Sequence, residues 1–323
     1  MKAFVTGGTG FIGGTIISKL RGRGDDVVAL VRTPSKSGEI EALGCELFAG
    51  DLSDKDHLVQ GMKGCDAVFH VAAIYKAGIP KSECPGMHEA NVRGTERTLD
   101  AATEAGVSRT VYVSTIGYFG NTKGKIVDET YRRAPTDFLT CYDETKYWAH
   151  EAARERIERG APIIIVQPGG VYGPGDQSEV ATYMRQLIDG KLKFMTFPEV
   201  GFNLGYVDDI ADGIILAHDK GRLGESYILG GELSTLGDVI KRAATISGNK
   251  PPRITLPGFM VKASIPFAPI VTRMMGLPPN LRELIRAAEG VTYWATDAKA
   301  REELGYAPRD LDAGLKETIA AFD

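Results

Sequence analysis

Residues 2–20, KAFVTGGTGFIGGTIISKL, decide the fold, because a short apolar strand runs into a glycine-rich turn and then into a helix. The turn carries Gly7, Gly10 and Gly13 at a spacing of three. Glycines in this order allow a tight turn, a close approach of the backbone to a pyrophosphate, and close packing of helix on strand. Such a turn can also serve helix packing alone, so the rest of the chain has to distinguish the two uses.

The alternation of strand and helix continues through the first half of the chain. Continuous β-branched or aromatic runs, separated by helical patterns, indicate parallel strands covered by helices on both faces. The later runs are DVVALVR (26–32), ELFAGD (46–51), AVFHVAA (67–73), TVYVST (110–115) and PIIIVQP (162–168). The pattern predicts an α/β fold with a Rossmann-type, doubly wound parallel sheet, and in that context the glycine turn indicates a dinucleotide site.

This alternation breaks after about Gly175, where helices are joined by Gly/Pro-rich links and short strands. We therefore expect an NAD(P)-binding Rossmann domain over residues 1–175. A smaller C-terminal α/β substrate-binding domain is expected over 176–323, with a strand or two returning to the main sheet. Residues 256–275 are the expected substrate cap, although core packing explains any one of their bulky side chains better. Those side chains are Phe259, Met260, Phe267, Met274 and Met275.

Composition and charge exclude several classes of partner. Of the 323 residues, 43% are hydrophobic and 25% are charged, as in ordinary globular proteins. The net charge of −4, with scattered Lys and Arg, gives no support for nucleic acid or an anionic membrane as partner. Charges and prolines interrupt the apolar stretch 258–277, so we expect no membrane span. Dispersed cysteines without a CxxC pair and histidines without ligand spacing predict a cytoplasmic protein with no metal site.

The end of the second strand indicates which dinucleotide binds. An acid about 20 residues after the glycine turn would hold the ribose 2′-hydroxyl of NAD. The strand ends instead in Val31 and Arg32. Arg32 can bind a 2′-phosphate through a forked, charge-assisted contact, and Lys36 can add a second positive charge. NADP(H) is therefore the preferred cofactor, with NAD(H) as the alternative if Arg32 is only a solvated residue at the strand end.

Further cofactor contacts are expected along the same groove. Asp51 and Leu52, after the third strand, either meet the adenine edge or only form a turn and a cap. Ala72 and Ala73, at the end of the fourth strand, are small enough for a cofactor to lie across them. The glycine turn is expected to contact the cofactor through Gly7, Thr9, Gly10, Phe11, Ile12 and Gly13.

The chemistry is expected from Thr115, Tyr142 and Lys146. In CYDETK (141–146), Tyr142 precedes Lys146 by four residues, so both lie on one helix face. A free tyrosine has a pKa of about 10, and a nearby ammonium is expected to lower it towards neutrality. Tyr142 would give a proton to a carbonyl oxygen as hydride arrives, Thr115 would hydrogen-bond that oxygen, and Lys146 would also hold the nicotinamide ribose.

The motifs along the chain resemble those of an extended short-chain dehydrogenase/reductase, in the NAD(P)-dependent epimerase/dehydratase superfamily. They are TGGTGFIG (6–13), NVRGT (91–95), VSTIGYFG (113–120), YDETK (142–146), PGGVYGPGD (168–176) and YVDDIADG (206–213). The resemblance implies that Thr115, Tyr142 and Lys146 are catalytic, that Pro168, Gly169 and Val171 lie along the nicotinamide, and that Asn91 is structural. It also implies a homodimer through the helices 87–105 and 143–159.

Departures from the family pattern narrow the activity. Nucleotide-sugar epimerases often carry an arginine where this chain has Phe202, and sugar-nucleotide dehydratases carry Asp-Glu where it has Ile116 and Gly117. The chain looks most like dihydroflavonol-4-reductase-type carbonyl reductases, which predicts NADPH-dependent reduction of a ketone or aldehyde on an apolar or aromatic molecule. An NAD-dependent nucleotide-sugar epimerase is the alternative. A non-catalytic NADP-sensing regulator is a third, although such proteins generally lack the Tyr/Lys pair.

Overall fold

The computed structural model describes residues 1–267 and 279–322. Continuous apolar runs form the inner strands of the central sheet, which are buried on both faces, whereas the edge strand of residues 46–49 is partly exposed. The strands are β1 (Lys2–Thr6), β2 (Asp26–Val31), β3 (Glu46–Ala49), β4 (Ala67–His70), β5 (Arg109–Val113), β6 (Ile163–Pro168), β7 (Gly170–Tyr172), β8 (Phe194–Thr196), β9 (Gly201–Tyr206), β10 (Ser226–Leu229), β11 (Glu232–Thr235) and β12 (Ile254–Leu256).

The main sheet has seven parallel strands in the order β10-β6-β5-β4-β1-β2-β3. The strand order reverses beside β1, which creates a crevice at the carboxyl ends of β1 and β4. This topology confirms the predicted Rossmann-type α/β fold. Two small sheets, β11-β9-β7 and β12-β8, lie outside it.

The described helices cover the sheet or extend over its carboxyl edge. They are α1 (Phe11–Gly22), α2 (Gly38–Ala42), α3 (Lys55–Met62), α4 (Cys84–His88), α5 (Gly94–Glu104), α6 (Cys141–Glu158), α7 (Glu179–Ile188), α8 (Val207–Lys220), α9 (Leu236–Ser247), α10 (Gly258–Ala263), α11 (Leu281–Ala288), α12 (Ala298–Leu304) and α13 (Leu311–Ala320). A π-helical turn, Glu89–Arg93, joins α4 to α5. Shorter 3-10 turns lie at Pro34–Lys36, Lys81–Glu83, Ile116–Phe119 and Ile265–Phe267.

Successive side chains of each strand enter opposite hydrophobic layers. Ala3 and Val5 of β1 pack in the layer that contains α1 and α8, whereas Phe4 packs with α3 and α5. Both α8 and β10 come from the second half of the chain, and they complete the main sheet and its helical layer. The two-domain division at residue 175 stays a prediction.

Candidate active site

A cleft of about 1750 Å³ runs along the carboxyl edge of the main sheet, where ligands bind in open α/β folds. The glycine turn, the ends of β2, β4 and β5, and the first turns of α6 line one part of it. Residues from the second half of the chain line the rest. The cleft is large enough for a dinucleotide together with a small substrate.

The glycine turn is shaped to approach a ligand closely. Gly7 has a φ of +75°, and a Cβ there would lie 2.7 Å from the backbone nitrogen of Ala72. A Cβ on Gly13 would collide with the carbonyl oxygen of Gly7. Helix α1 follows Gly10 with no side-chain cap and no acid in its first turn, so its first N–H groups are free to bind an anion. These features fit the pyrophosphate of a dinucleotide.

A buried network fixes the ends of β1 and β4 beside this turn. The Thr6 hydroxyl is 2.8 Å from His70 Nδ1 and accepts hydrogen bonds from the Val71 and Ala72 N–H groups. His70 Nε2 lies 2.9 Å from the Thr95 hydroxyl. Burial lowers the pKa of His70 to about 3, so the ring is neutral and its role is structural.

The adenosine end of the cleft carries the expected arginine. Arg32 is exposed and lines the cleft, whereas Lys36 is exposed in the Pro34–Lys36 turn, outside the lining. Asp51 accepts hydrogen bonds from the Ser53 N–H and hydroxyl, which hold the pKa of its carboxyl below the ordinary value. Asp51 therefore forms the turn while it also lines the cleft. Arg97, whose charge also acts on Asp51, is a second cation here that the sequence motifs did not reveal.

Thr115 presents a free hydroxyl proton to the cleft. Its Oγ1 accepts a hydrogen bond from the Gly117 N–H at 3.1 Å, which caps the Ile116–Phe119 turn and leaves the hydroxyl able to donate. The neighbouring Ser114 is instead paired with His150 Nδ1 at 2.9 Å and is buried. The geometry therefore favours Thr115 over Ser114 as the hydroxyl that meets a substrate.

Helix α6 brings Tyr142 and Lys146 to the cleft. The helix is capped by Thr140, whose hydroxyl accepts the Asp143 N–H at 2.9 Å. The Lys146 ammonium is buried and donates to the Val113 carbonyl oxygen at 3.0 Å. The Tyr142 hydroxyl makes no hydrogen bond to the part of the chain that the structure describes, and its ring lines the cleft.

The ionisation of this pair differs from the sequence-based expectation. Burial lowers the pKa of Lys146 to about 7. Burial also raises the pKa of Tyr142, and the adjacent Asp143 carboxylate raises it further. The expectation that the Tyr142 pKa is lowered towards neutrality is therefore wrong for the protein alone, because burial and the Asp143 charge both raise it. The phenol is protonated at neutral pH.

Hydrogen bonds of Asn91 and an ion pair between Arg133 and Asp143 hold helix α6 in place. Asn91 accepts the Ile74 N–H at 2.7 Å and donates to the Ile74 carbonyl at 3.0 Å and to the Thr145 hydroxyl at 3.1 Å. The Asp143 carboxylate pairs with Arg133 at 2.7 Å, and both side chains are less than one-tenth exposed. These contacts link the loop after β4, the helix α6 and the loop before it.

The lining residues from Gln177 onward form what we term the distal wall. Within residues 177–267 and 279–322, this wall contains no Lys, Arg or His, and Glu179 is its one charged side chain. Phe202 lies in the wall. The wall is otherwise mainly apolar or aromatic, including Tyr183, Phe194, Phe197, Val200, Leu236, Leu256, Met260, Val261, Leu281, Leu284, Ile285 and Tyr293.

The structure brings nearly all the predicted site residues into one cleft, and Lys36 is the exception. Of the expected cap, Met260 lines the cleft and Phe259 is 72% exposed outside the lining, whereas Met274 and Met275 lie outside the described residues. Sequence reasoning missed Tyr75 and Tyr293, which both line the cleft. The position of Tyr75, two residues after the alanines Ala72 and Ala73 that follow β4, is the one signal that could have indicated it.

No helix within residues 1–267 and 279–322 has the length and apolar character needed to cross a membrane. Those same residues contain no cluster of His, Cys, Asp and Glu side chains arranged to hold a metal ion.

Comparisons with known proteins agree with this site. Residues 3–230 match the family model described as the NAD dependent epimerase/dehydratase family. A Synechocystis protein named "Putative dihydroflavonol 4-reductase" is 32% identical over 326 residues, which cover 99% of this chain and 94% of that protein. A Stigmatella aurantiaca protein named 4-hydroxy-2-methyl-3-oxo-4-farnesyl-3,4-dihydroquinoline-1-oxide ketoreductase is 31% identical over 318 residues, 96% of this chain and 92% of that protein.

The crystal structure of gox2253 is 35% identical, covers 99% of this chain and 97% of its own, and has a TM-score of 0.85. The family match thus covers the main sheet from β1 to β10, and the sheet topology agrees with it. The chain belongs to the NAD-dependent epimerase/dehydratase family of extended short-chain dehydrogenases/reductases and is an NAD(P)-dependent oxidoreductase of that type.

Proposed function

We propose that the protein reduces a ketone or aldehyde on an apolar or aromatic small molecule, with NADPH as the hydride donor. The observation that carries this proposal is the chemistry of the distal wall. A nucleotide sugar carries a diphosphate that needs cationic partners, and the described wall offers only the acid Glu179. Phe202 lies where nucleotide-sugar epimerases often carry an arginine, and its ring favours an apolar substrate instead.

Each catalytic side chain has a defined part in this reaction. Thr115 keeps its hydroxyl hydrogen and donates a hydrogen bond to the substrate carbonyl oxygen, since its Oγ1 already accepts the Gly117 N–H. Tyr142 transfers its proton to the same oxygen, and its raised pKa keeps that proton available at neutral pH. Lys146 stabilises the negative charge that develops on the phenol and holds the nicotinamide ribose. A nicotinamide dinucleotide on the glycine turn supplies the hydride.

The preference for NADP(H) rests on Arg32. Its guanidinium is exposed at the adenosine end of the cleft, where a 2′-phosphate extends from the ribose. No acid ends β2 to hold a free 2′-hydroxyl, because the strand finishes at Val31. Arg97 also lies close to Asp51, but its guanidinium is paired with Glu89 at 2.6 Å, so Arg32 carries the preference. Lys36 is exposed in the following turn and lies outside the cleft lining, so it adds no support.

The named relatives support a carbonyl substrate with a large apolar part. The Stigmatella protein is named as a ketoreductase for a farnesyl-bearing dihydroquinoline oxide, and the Synechocystis protein is named for dihydroflavonol reduction. Both names describe bulky molecules without a nucleotide diphosphate. We extend the shared chemistry, reduction of a ketone, to this chain and leave the individual substrate open.

The proposal is tested by purifying the protein, identifying any bound nucleotide and then following NADPH oxidation over a panel of ketones, aldehydes and flavonoid- or steroid-like compounds. NADH serves as the control. We expect turnover with NADPH on apolar carbonyls and weaker turnover with NADH. Copurified NAD together with no NADPH oxidation would contradict the proposal and support a nucleotide-sugar epimerase.

We also propose that the protein forms a homodimer through helices 87–105 and 143–159. Arg156 pairs with Asp100 at 2.6 Å and ties the two helices into one surface, on which the Trp148 side chain is exposed. Light scattering should give twice the mass of the chain. Trp148→Lys should reduce that mass to the monomer value, and an unchanged dimer would contradict this interface.

A further inference from the structure

Tyr75 occupies an unusual place for a large aromatic side chain. It follows β4 in the cleft-lining loop Ala72–Tyr75 and is 59% exposed, although it lies beside the candidate catalytic residue. Its ring centroid is 4.8 Å from that of Tyr142, and the two rings are nearly perpendicular, at 87°. Aromatic pairs favour this edge-to-face geometry. The remaining surface of the Tyr75 ring is open to the cleft.

The loop that carries Tyr75 is held on both sides. On one side, Asn91 binds both the N–H and the carbonyl oxygen of Ile74. On the other side, Asn280 donates its backbone N–H to the Gly78 carbonyl at 2.9 Å and its side-chain amide to the Ile79 carbonyl at 3.2 Å. Contacts to the backbone of the loop, and not contacts of the Tyr75 side chain, therefore fix the position of the ring. A preorganised group loses little conformational freedom when a ligand binds.

Apart from its contact with the Tyr142 ring, the Tyr75 side chain has no structural role in the part of the chain that the structure describes. Its hydroxyl makes no hydrogen bond within residues 1–267 and 279–322, and its ring is not part of a buried hydrophobic cluster there. Tyr293 of the distal wall and Glu179 at the start of α7 are its neighbours in the cleft. An exposed ring that is rigidly held next to a proton donor is suited to bind the group that bears the reacting carbonyl.

We infer that Tyr75 is a specificity-determining residue that stacks on a planar group next to the substrate carbonyl. The inference rests on the proposed reductase function and deepens it. A flat, conjugated ring can lie against the open Tyr75 surface while its carbonyl reaches Tyr142, whereas a puckered saturated ring of the same size makes fewer contacts. Tyr75 thus selects planar over saturated substrates, and the apolar distal wall accepts either.

The test compares acetylnaphthalene with acetyldecalin, its fully saturated counterpart, as substrates and as ligands. For wild-type protein, Tyr75→Phe, Tyr75→Ala and the control Lys76→Ala, kcat and KM are measured with NADPH, and Kd is measured calorimetrically. Lys76 is exposed on the same loop and does not line the cleft. We expect Tyr75→Ala to raise KM and Kd for acetylnaphthalene about tenfold and those for acetyldecalin about twofold or less.

Tyr75→Phe keeps the ring and should keep the preference for acetylnaphthalene, as should Lys76→Ala. The inference would be overturned if Tyr75→Ala lost affinity equally for both ketones, or if Tyr75→Phe lost the preference for acetylnaphthalene. It would also be overturned if wild-type protein bound neither ketone. The Kd values distinguish failure of the inference about Tyr75 from failure of the proposed reductase function. If wild-type protein reduces neither ketone but Tyr75→Ala still changes the Kd ratio, the role of Tyr75 in binding stands, and the NADPH-oxidation panel decides the reductase proposal separately.

Discussion

Replacing Lys146 by methionine is expected to stabilise the fold while it abolishes catalysis. The side chain is 3% exposed, and its ammonium has the Val113 carbonyl and, at 3.4 Å, the Tyr112 hydroxyl as partners. No carboxylate is within ion-pair distance in the part of the chain that the structure describes. Burial of an ammonium without a counterion is costly, and an apolar side chain of similar length removes that cost.

The size of the effect follows from the pKa of Lys146. The ordinary lysine pKa of 10.5 applies to the unfolded chain, and burial lowers the value to about 7 in the folded protein. At a pH between these two pKa values, the unfolded state binds more protons than the folded state. The free energy of unfolding therefore rises with pH by about 1.4 kcal/mol per pH unit. Below pH 7 both states are protonated, and the full cost of about 5 kcal/mol remains.

The assay is urea unfolding of wild-type protein and Lys146→Met at a series of pH values. Near pH 6 we expect the variant to be more stable by up to about 5 kcal/mol, and near pH 9 by about 2 kcal/mol. All other groups titrate in both proteins, so their contributions cancel in the difference between the two free energies of unfolding. Lys76→Met, at an exposed lysine, controls for loss of charge and should change stability by less than about 0.5 kcal/mol. A variant less stable than wild type near pH 6, or a difference that does not shrink as pH rises, would refute the reasoning.

Three more substitutions follow from the structure. Arg32→Asp should raise the Kd for NADPH about tenfold or more, since it removes a charge-assisted contact to the 2′-phosphate, and should leave the Kd for NADH equal or lower. Fluorescence titration measures both Kd values, and equal weakening of NADPH and NADH binding would contradict this assignment. Gly13→Ala should weaken binding of both nucleotides about tenfold, because its Cβ meets the Gly7 carbonyl; normal binding would exclude a role for this close contact. Arg133→Leu should lower the free energy of unfolding by about 3–5 kcal/mol, because Asp143 is left as an unpaired buried charge. Adding Asp143→Leu should recover most of that loss in urea unfolding, and no recovery would exclude the ion pair as its cause.

The fold could be predicted from the sequence because its signals are local. Buried parallel strands require continuous apolar runs, the turn before α1 requires a glycine at position 7, and the first turn of α1 requires one at position 13. These signals are visible in short stretches of sequence. The candidate catalytic residues were visible for the same reason, since Tyr142 and Lys146 are one helical turn apart.

The rest of the site depends on contacts between distant parts of the chain. Asn280 holds the loop that carries Tyr75 from about 200 residues away, and no local pattern records this contact. The shift of the Tyr142 pKa was predicted with the wrong sign because burial, a tertiary property that no local pattern records, raises it.

The central claim is that Tyr142 donates the proton in an NADPH-dependent carbonyl reduction. The most direct measurement is the rate of NADPH oxidation by wild-type protein and Tyr142→Phe on the same ketone, with the NADPH Kd of each protein. We predict a fall in kcat of about 10²–10⁴-fold with the NADPH Kd unchanged within about twofold, because the variant loses one hydroxyl and keeps the ring. A variant that binds NADPH normally and reduces the ketone at close to the wild-type rate would contradict the claim.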